Sequence, residues 1–239
     1  MELLESGTCP GSATFHPGSI CNLACVTCGS GASTRWQKEL GIPITPGNPR
    51  EIDQETIIAA RKMTGVVICG GEPMLNFSSQ TMLENLRSDQ LVRVHFNGTV
   101  MPRQSFMDQS ARFKRIQYCF SIDGVGKRFE YLRWPAQWDQ VVENILWLVE
   151  TAPDNIEFSV NITISQLNRH YQNEIVDWIK QTIPQNKHGK ETVITYNDAG
   201  NSLTQKYLDI LDKKRNLNWR ELFPLAMVSI PNTGFLWNY

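Results

Sequence analysis

Short runs rich in β-branched and aromatic residues alternate along this chain with longer stretches of helical spacing. "SATFHPGSI" (12–20) is the first predicted strand. "TGVVICGGEP" (64–73) reads as a strand entering a glycine turn, and "SSQTMLENLRSD" (78–89) as a helix. "LVRVHFNGT" (91–99) and "RIQYCFSIDG" (115–124) predict strands, with the helix "RQSFMDQSARF" (103–113) between them. From Pro135 to Thr151, Trp138, Val141, Val142, Ile145, Leu148 and Val149 recur at helical spacing, and Pro135 suits a first turn. "NIEFSVNITIS" (155–165) is another strand, Tyr171, Ile175, Trp178 and Ile179 stripe a further helix, and "ETVITYND" (191–198) is the last strand. Strands alternating with helices imply a parallel sheet. A closed eight-unit barrel takes about 250 residues, and this chain of 239 also has a tail to place. The expected fold is therefore α/β: a partial (β/α)6 TIM-like barrel with parallel strands and a short C-terminal extension. Its expected division is a tail over 1–12, a barrel core over 13–200, and a C-terminal helix and extension over 201–239.

Parity within the strands sharpens this. Side chains alternate between the two faces of a strand. Ile116, Tyr118, Phe120 and Ile122 share one face of their segment, and Gln117, Cys119, Ser121 and Asp123 the other. Ile156, Phe158, Val160, Ile162 and Ile164 likewise alternate with Glu157, Ser159, Asn161 and Thr163, and Val92, Val94 and Phe96 with Arg93, His95 and Asn97. Strands buried on both faces read as continuous apolar runs. Here the apolar faces are expected against helices and the polar faces around a wet lumen that holds a polar ligand. An antiparallel sheet with one face in water is the alternative, and the intervening helices argue against it.

Charge and composition narrow the function. Lys plus Arg number 23 against 24 for Asp plus Glu, without the basic excess of a dedicated nucleic-acid binder. No apolar run approaches a membrane span, and "MELLESGTCPGS" lacks the basic and apolar regions of a secretory signal. The expectation is a cytoplasmic protein with no membrane partner. In that reducing setting, clustered cysteines point to metal ligation or catalysis rather than disulfides.

The cluster is Cys21-x3-Cys25-x2-Cys28, just after the first predicted strand. In a β/α barrel, the loops after the strands carry the chemistry. Structural zinc takes four protein ligands, and only three cysteines are local, with Cys9 or His16 as a fourth candidate. Three thiolates also suit an iron–sulfur cluster with one iron left open for a substrate or cofactor.

"CNLACVTC" (21–28), "GGEP" (70–73) ending the second predicted strand and "SIDG" (121–124) ending the fourth together resemble the radical S-adenosylmethionine (SAM) enzymes. "SIDGVGKRFEYLRWPAQWDQVVENI" and the tail "YLDILDKKRNLNWRELFP" further resemble bacterial and phage radical SAM proteins of the twitch or SPASM group. The resemblance runs from Ser12 to Pro224. It implies that Cys21, Cys25 and Cys28 hold three irons of a [4Fe–4S] cluster whose fourth iron chelates SAM. It also implies reductive cleavage of SAM to a 5′-deoxyadenosyl radical that abstracts hydrogen from a substrate. The implied partners are an external one-electron donor such as flavodoxin or ferredoxin and a peptide or protein substrate. A nucleoside, sugar or other small metabolite is the alternative substrate, and a non-catalytic zinc or iron–sulfur binding module is the alternative from another class. By the same resemblance, Gly70 and Gly71 let the backbone approach SAM, and Glu72, followed by Pro73, lies near its amino group. Ser121 and Asp123 contact the ribose or methionine end, and Arg133 matches an arginine that pairs with SAM in peptide-modifying members. Asn97 and Asn161, lumen-facing by parity, either contact SAM or hydrogen-bond a neighbouring strand.

Other positions depart from the pattern or stay open. Thr27 stands where the family often has a large apolar residue. Cys9, Cys69 and Cys119 are scattered, so no auxiliary cluster is expected and the chain reads as a minimal catalytic core. Cys69 reads as a packed core thiol, and Cys119 as a small filler or a substrate contact. His95 is a lumen proton donor or substrate contact, or a hydrogen-bonded structural histidine; His16 sits beside the cluster or packs the strand. "KKR" (213–215) reads as a solvated helix end. The end "AMVSIPNTGFLWNY" (226–239) caps the open side of the barrel, packs on a partner, or does neither.

Overall fold

Six strands lie side by side in chain order, each parallel to the next: β1 (Cys9–Phe15), β2 (Met63–Ile68), β3 (Leu91–Phe96), β4 (Ile116–Ser121), β5 (Ile156–Ile164) and β6 (Val193–Asp198). The sheet curls into a half-barrel, as the alternation of elements predicts. The computed structural model describes residues 9–44, 52–183, 185, 189, 191–199, 203 and 205–226. The aromatic end beyond Ala226 lies outside the described residues.

The helices are α1 (Thr34–Leu40), α2 (Gln54–Lys62), α3 (Phe77–Asn85), α4 (Gln104–Ala111), α5 (Lys127–Leu132), α6 (Trp138–Thr151), α7 (Gln172–Thr182), α8 (Gln205–Arg215) and α9 (Trp219–Leu222). The sequence pattern did not predict α1, α2 or α5, which are short or weakly striped. Their ends are set chemically. The Ser33 side chain accepts from the N–H groups of Arg35 and Trp36 at the start of α1, and Gly41, in the left-handed region, closes its end. Asp53 caps α2 by accepting from Thr56 N–H. No helix among the described residues is long and apolar enough to cross a membrane.

Two boundaries differ from expectation. β1 begins at Cys9, inside the stretch assigned to a tail, and ends at Phe15, so His16–Ile20 forms a loop. Pro17, which has no N–H to give a ladder, lies just past this exit. α6 begins at Trp138 rather than Pro135, because Gln137 is extended (φ −103°, ψ 123°) and the Glu130 carboxylate of α5 caps the start by accepting from Trp138 N–H at 3.1 Å.

Register confirms the parity reading. Thr14, Val67, Arg93, Gln117 and Glu157 stand in one row across the sheet, and Phe15, Ile68, Val94, Tyr118 and Phe158 in the next. The second kind of row packs against α3, α4, α6 and α7 in the main core, where Phe120 stacks on Phe158. A second, smaller core joins Ala24, Val26 and Trp36 to Tyr131, Leu208, Trp219 and Phe223. It seats α8 and α9 against the loop that carries the three cysteines.

Candidate metal centre

The loop between β1 and α1 lies over the C-terminal ends of the strands, and backbone bonds hold it there. Ala24 N–H donates to Trp134 O at 2.7 Å and Val26 N–H to Leu132 O at 2.8 Å, a short ladder against the segment after α5. Three successive loop carbonyls are each met by a buried side chain, two from the start of α1 and one from the end of α8. Leu23 O accepts from the Ser33 hydroxyl at 2.5 Å, Ala24 O from Arg215 at 2.7 Å, and Cys25 O from Trp36 Nε1 at 2.9 Å. Buried backbone polar groups demand such partners.

Cys21, Cys25 and Cys28 line one cavity of about 240 Å³, facing Gly70, Gly71, Glu72, His95, Asn97, Ser121, Arg133 and Thr163. The polar strand faces do reach the lumen: His95 and Asn97 come from β3 and its end, Ser121 from β4 and Thr163 from β5. Burial, with Cys25 adding to it, pushes the Cys21 thiol up to about 12. The hydrogen bond that Cys25 shares with Cys28, reinforced by burial, raises Cys25, and the same bond lowers Cys28.

The turn after β2 meets this loop closely. Gly70 and Gly71 have φ of +100° and +54°, a region that favours glycine. A Cβ on Gly71 would fall 2.6 Å from the carbonyls of Gly18 and Ile20, and one on Gly70 2.6 Å from His16 Nδ1. The glycines therefore let two protein loops approach each other, as well as opening onto the cavity. Glu72 is buried; its carboxylate accepts from Met74 N–H at 3.0 Å and Asn97 N–H at 2.8 Å, and burial raises its pKa to about 7. Pro73 is buried behind it.

Other predicted residues are engaged in ways parity could not show. Asn97 Nδ2 donates to Asn22 Oδ1 at 3.0 Å, and Asn22 donates to Thr99 Oγ1 at 2.8 Å, tying the cysteine motif to the β3 loop. Asn22 is a site residue the sequence reading missed; its place inside the motif was the available signal. Asn161 accepts from Thr195 Oγ1 at 3.1 Å on β6, which is the strand-bonding alternative. Asp123 is buried behind two lining residues. It accepts from Thr163 N–H at 2.7 Å and pairs with Arg133 at 2.8 Å. Burial raises the Asp123 carboxyl against the pull of Arg133; for Arg133, burial opposes the charge, but Asp123 together with Cys25 and Cys28 outweighs it and raises the pKa.

Arg133 lines the cavity with its Nε buried and without a hydrogen-bond partner. The His95 imidazole also faces the cavity and has no hydrogen-bond partner among the described residues. Burial, then the charges of Arg93 and Arg133, lower His95 to about 4, so it is the neutral imidazole that faces the cavity. Cys69 is half-buried and lines the cavity, 3.9 Å from His16 Nδ1, rather than packing in the core. Cys119 is fully buried and is the small filler. The "KKR" end is only partly solvated: Lys213 and Lys214 are exposed, and Arg215 is buried under the cysteine loop.

The donor set fits an iron–sulfur cluster. Among the described residues no three His, Cys, Asp or Glu side chains converge on a single ion position, and a multi-iron cluster does not need them to, since each thiolate binds a different iron. The buried, unpartnered Arg133 Nε in the same cavity marks room for an anionic group of a second ligand.

The six-stranded parallel half-barrel is shared with solved structures. SuiB from Streptococcus suis bound to S-adenosylmethionine aligns with a TM-score of 0.51 at 14% identity, over 89% of this chain and 46% of that one. Native anSMEcpe with bound AdoMet aligns at 0.57 and 14% identity, over 86% and 60%. The chain thus spans about half to three-fifths of the length of the structures it matches. The chain belongs to the 4Fe-4S single cluster domain family, whose profile matches residues 9–129, just over half of its length. No curated protein matches it in sequence.

Proposed function

We propose that Cys21, Cys25 and Cys28 each ligate one iron of a [4Fe–4S] cluster, that its open iron and the facing wall hold SAM, and that the enzyme acts on a peptide. The observation that carries this reading is the single cavity lined by three thiols and by Arg133, whose Nε is buried and unpartnered. When bound, cluster and SAM supply one-electron cleavage of SAM and a 5′-deoxyadenosyl radical able to abstract hydrogen.

The chain's own residues position and exclude. Asp123 fixes Arg133 so that its free edge points to a SAM carboxylate, a charge-assisted contact. Glu72 pins the glycine turn to the β3 loop, and Asn22 and Asn97 hold the cysteine motif to the same loop. His95 and Ser121 offer polar atoms deeper in the lumen. The peptide assignment draws on relatives of the fold: SuiB has been solved bound to the precursor peptide SuiA, and anSMEcpe with AdoMet and the Kp18Cys peptide.

Anaerobic reconstitution tests the reading. It predicts about four irons and four sulfides per chain, and 5′-deoxyadenosine from SAM with a strong reductant. Cys25→Ala should lose both the cluster and SAM cleavage. Stoichiometric zinc with no SAM cleavage would sink the proposal, as would a Cys25→Ala protein that still holds the cluster.

A further inference from the structure

Arg215, the last residue of α8, is 7% exposed and lies 191 residues beyond Ala24 in sequence. One guanidinium nitrogen donates to Ala24 O at 2.7 Å, inside the cysteine motif, and another to Tyr131 O in α5. Its Cζ lies 5.2 Å from the Tyr131 ring centroid and 5.9 Å from that of Trp134. Asp212, one turn earlier in α8, accepts from the Tyr131 hydroxyl at 2.9 Å, so α8 grips Tyr131 at both ends. Among the described residues no carboxylate forms an ion pair with Arg215. A buried cation paired only with carbonyls and rings is a costly way to gain stability. What this one does is join two backbones that bear on the same cavity: Ala24 precedes Cys25, and Tyr131 lies two residues before Arg133.

We infer that Arg215 is a positioning residue that makes the C-terminal helix part of the cysteine centre, by fixing the spacing between the cysteine loop and the segment carrying Arg133. Trp134 O and Leu132 O receive the loop's N–H groups along one side, and Arg215 closes the other by bridging Ala24 O and Tyr131 O. A planar fork meets the two carbonyls from separate nitrogens in fixed directions; lysine carries its three donors on one atom at a shorter reach. The inference rests on the cluster reading for its effect on SAM, but the clamp on the loop is measurable without a cluster.

The test has two arms, both on the full chain. In the first, hydrogen exchange is followed at the Ala24 and Val26 amides. Arg215→Met should speed their exchange roughly ten-fold or more while β4 amides stay unchanged. In the second, the reconstituted proteins are compared by SAM affinity and by the EPR line shape of the reduced cluster with SAM. Arg215→Met should bind SAM roughly 10–100-fold more weakly with an altered line shape, Arg215→Lys should recover part of both, and Lys214→Ala, an exposed neighbour, should match the wild type. Wild-type exchange at Ala24 and Val26 in a folded Arg215→Met overturns the clamp. Wild-type SAM affinity and line shape overturn the positioning role even if the loop exchanges faster. A wild-type protein that takes up no iron refutes the cluster reading and the effect on SAM with it, while the exchange arm still decides the clamp. Should Arg215→Met not fold, Arg215→Lys carries both comparisons.

Discussion

Phe96, Phe120 and Phe158 pack ring on ring behind the sheet, whereas Ala24, Val26 and Trp36 pack with Tyr131, Leu208 and Phe223 behind the cysteine loop. Behind the sheet the ladder already satisfies the backbone, so the inward positions are free to be apolar. The cysteine loop belongs to no strand. Its carbonyls need partners one at a time, and Ser33, Trp36 and Arg215 supply them, each buried for that reason. Order is therefore spread over many contacts in the first region and concentrated in a few hydrogen bonds in the second. Damage to the first should act globally, and damage to the second locally, at the metal centre.

The largest effect should come from Phe120→Ala. Phe120 is fully buried, 4.9 Å from Phe96 and 5.6 Å from Phe158 between ring centroids. Its truncation should cost about 3–5 kcal/mol of unfolding free energy. Urea unfolding should show one transition shifted as a whole, with iron still taken up in the absence of denaturant. Iron lost while the unfolding midpoint stays put would mean that sheet and loop do not divide as described.

His95 stands between the two regions, rooted in β3 and facing the loop. Its folded pKa, about 4, lies below the ordinary 6.5 because burial, Arg93 and Arg133 all disfavour the cation. The unfolded chain therefore takes the proton first. The stability contributed by neutral His95 is complete above pH 6.5 and is lost as pH falls from there towards 4, roughly 3 kcal/mol in all. His95→Gln stays neutral and should remove that part of the slope. Urea midpoints at about pH 7.5 and about pH 4.5 measure it. Identical pH dependence in both proteins would show that His95 gains a partner when protonated.

The same contrast explains what could be read from sequence. The order and direction of β2 to β6 followed from alternation, and the polar lumen from parity at His95, Asn97 and Ser121, because a strand's two faces are a local property of the chain. The three cysteines were visible as a spacing, and "GGEP" and "SIDG" as a resemblance. Parity could not say that the Asp123 carboxylate is engaged by Arg133 and Thr163, since Asp123 lies two residues past the end of β4, where alternation no longer fixes direction. Nor could it place Arg215, 191 residues beyond Ala24, whose charge reads as surface until the second core forms around it. Cys69, beside the "GGEP" turn, reads as a packed core thiol, yet it is half-buried and lines the cavity.

The smallest effect sharpens the contrast most. Trp36→Phe keeps a ring in the second core and removes one donor, the Nε1–H that meets Cys25 O at 2.9 Å. That carbonyl still accepts from Cys28 N–H at 3.1 Å, so it is not left bare. The cost should stay near 1 kcal/mol, the net worth of an ordinary hydrogen bond, and the unfolding midpoint should barely move. Amide exchange across Cys25–Cys28 should nevertheless quicken, because that loop has few other restraints. A midpoint shift rivalling that of Phe120→Ala would mean that the loop and the sheet unfold as one unit. An unchanged midpoint with unchanged exchange would mean that the carbonyl partners do not set the loop's order, and that its packing against Tyr131 and Phe223 does.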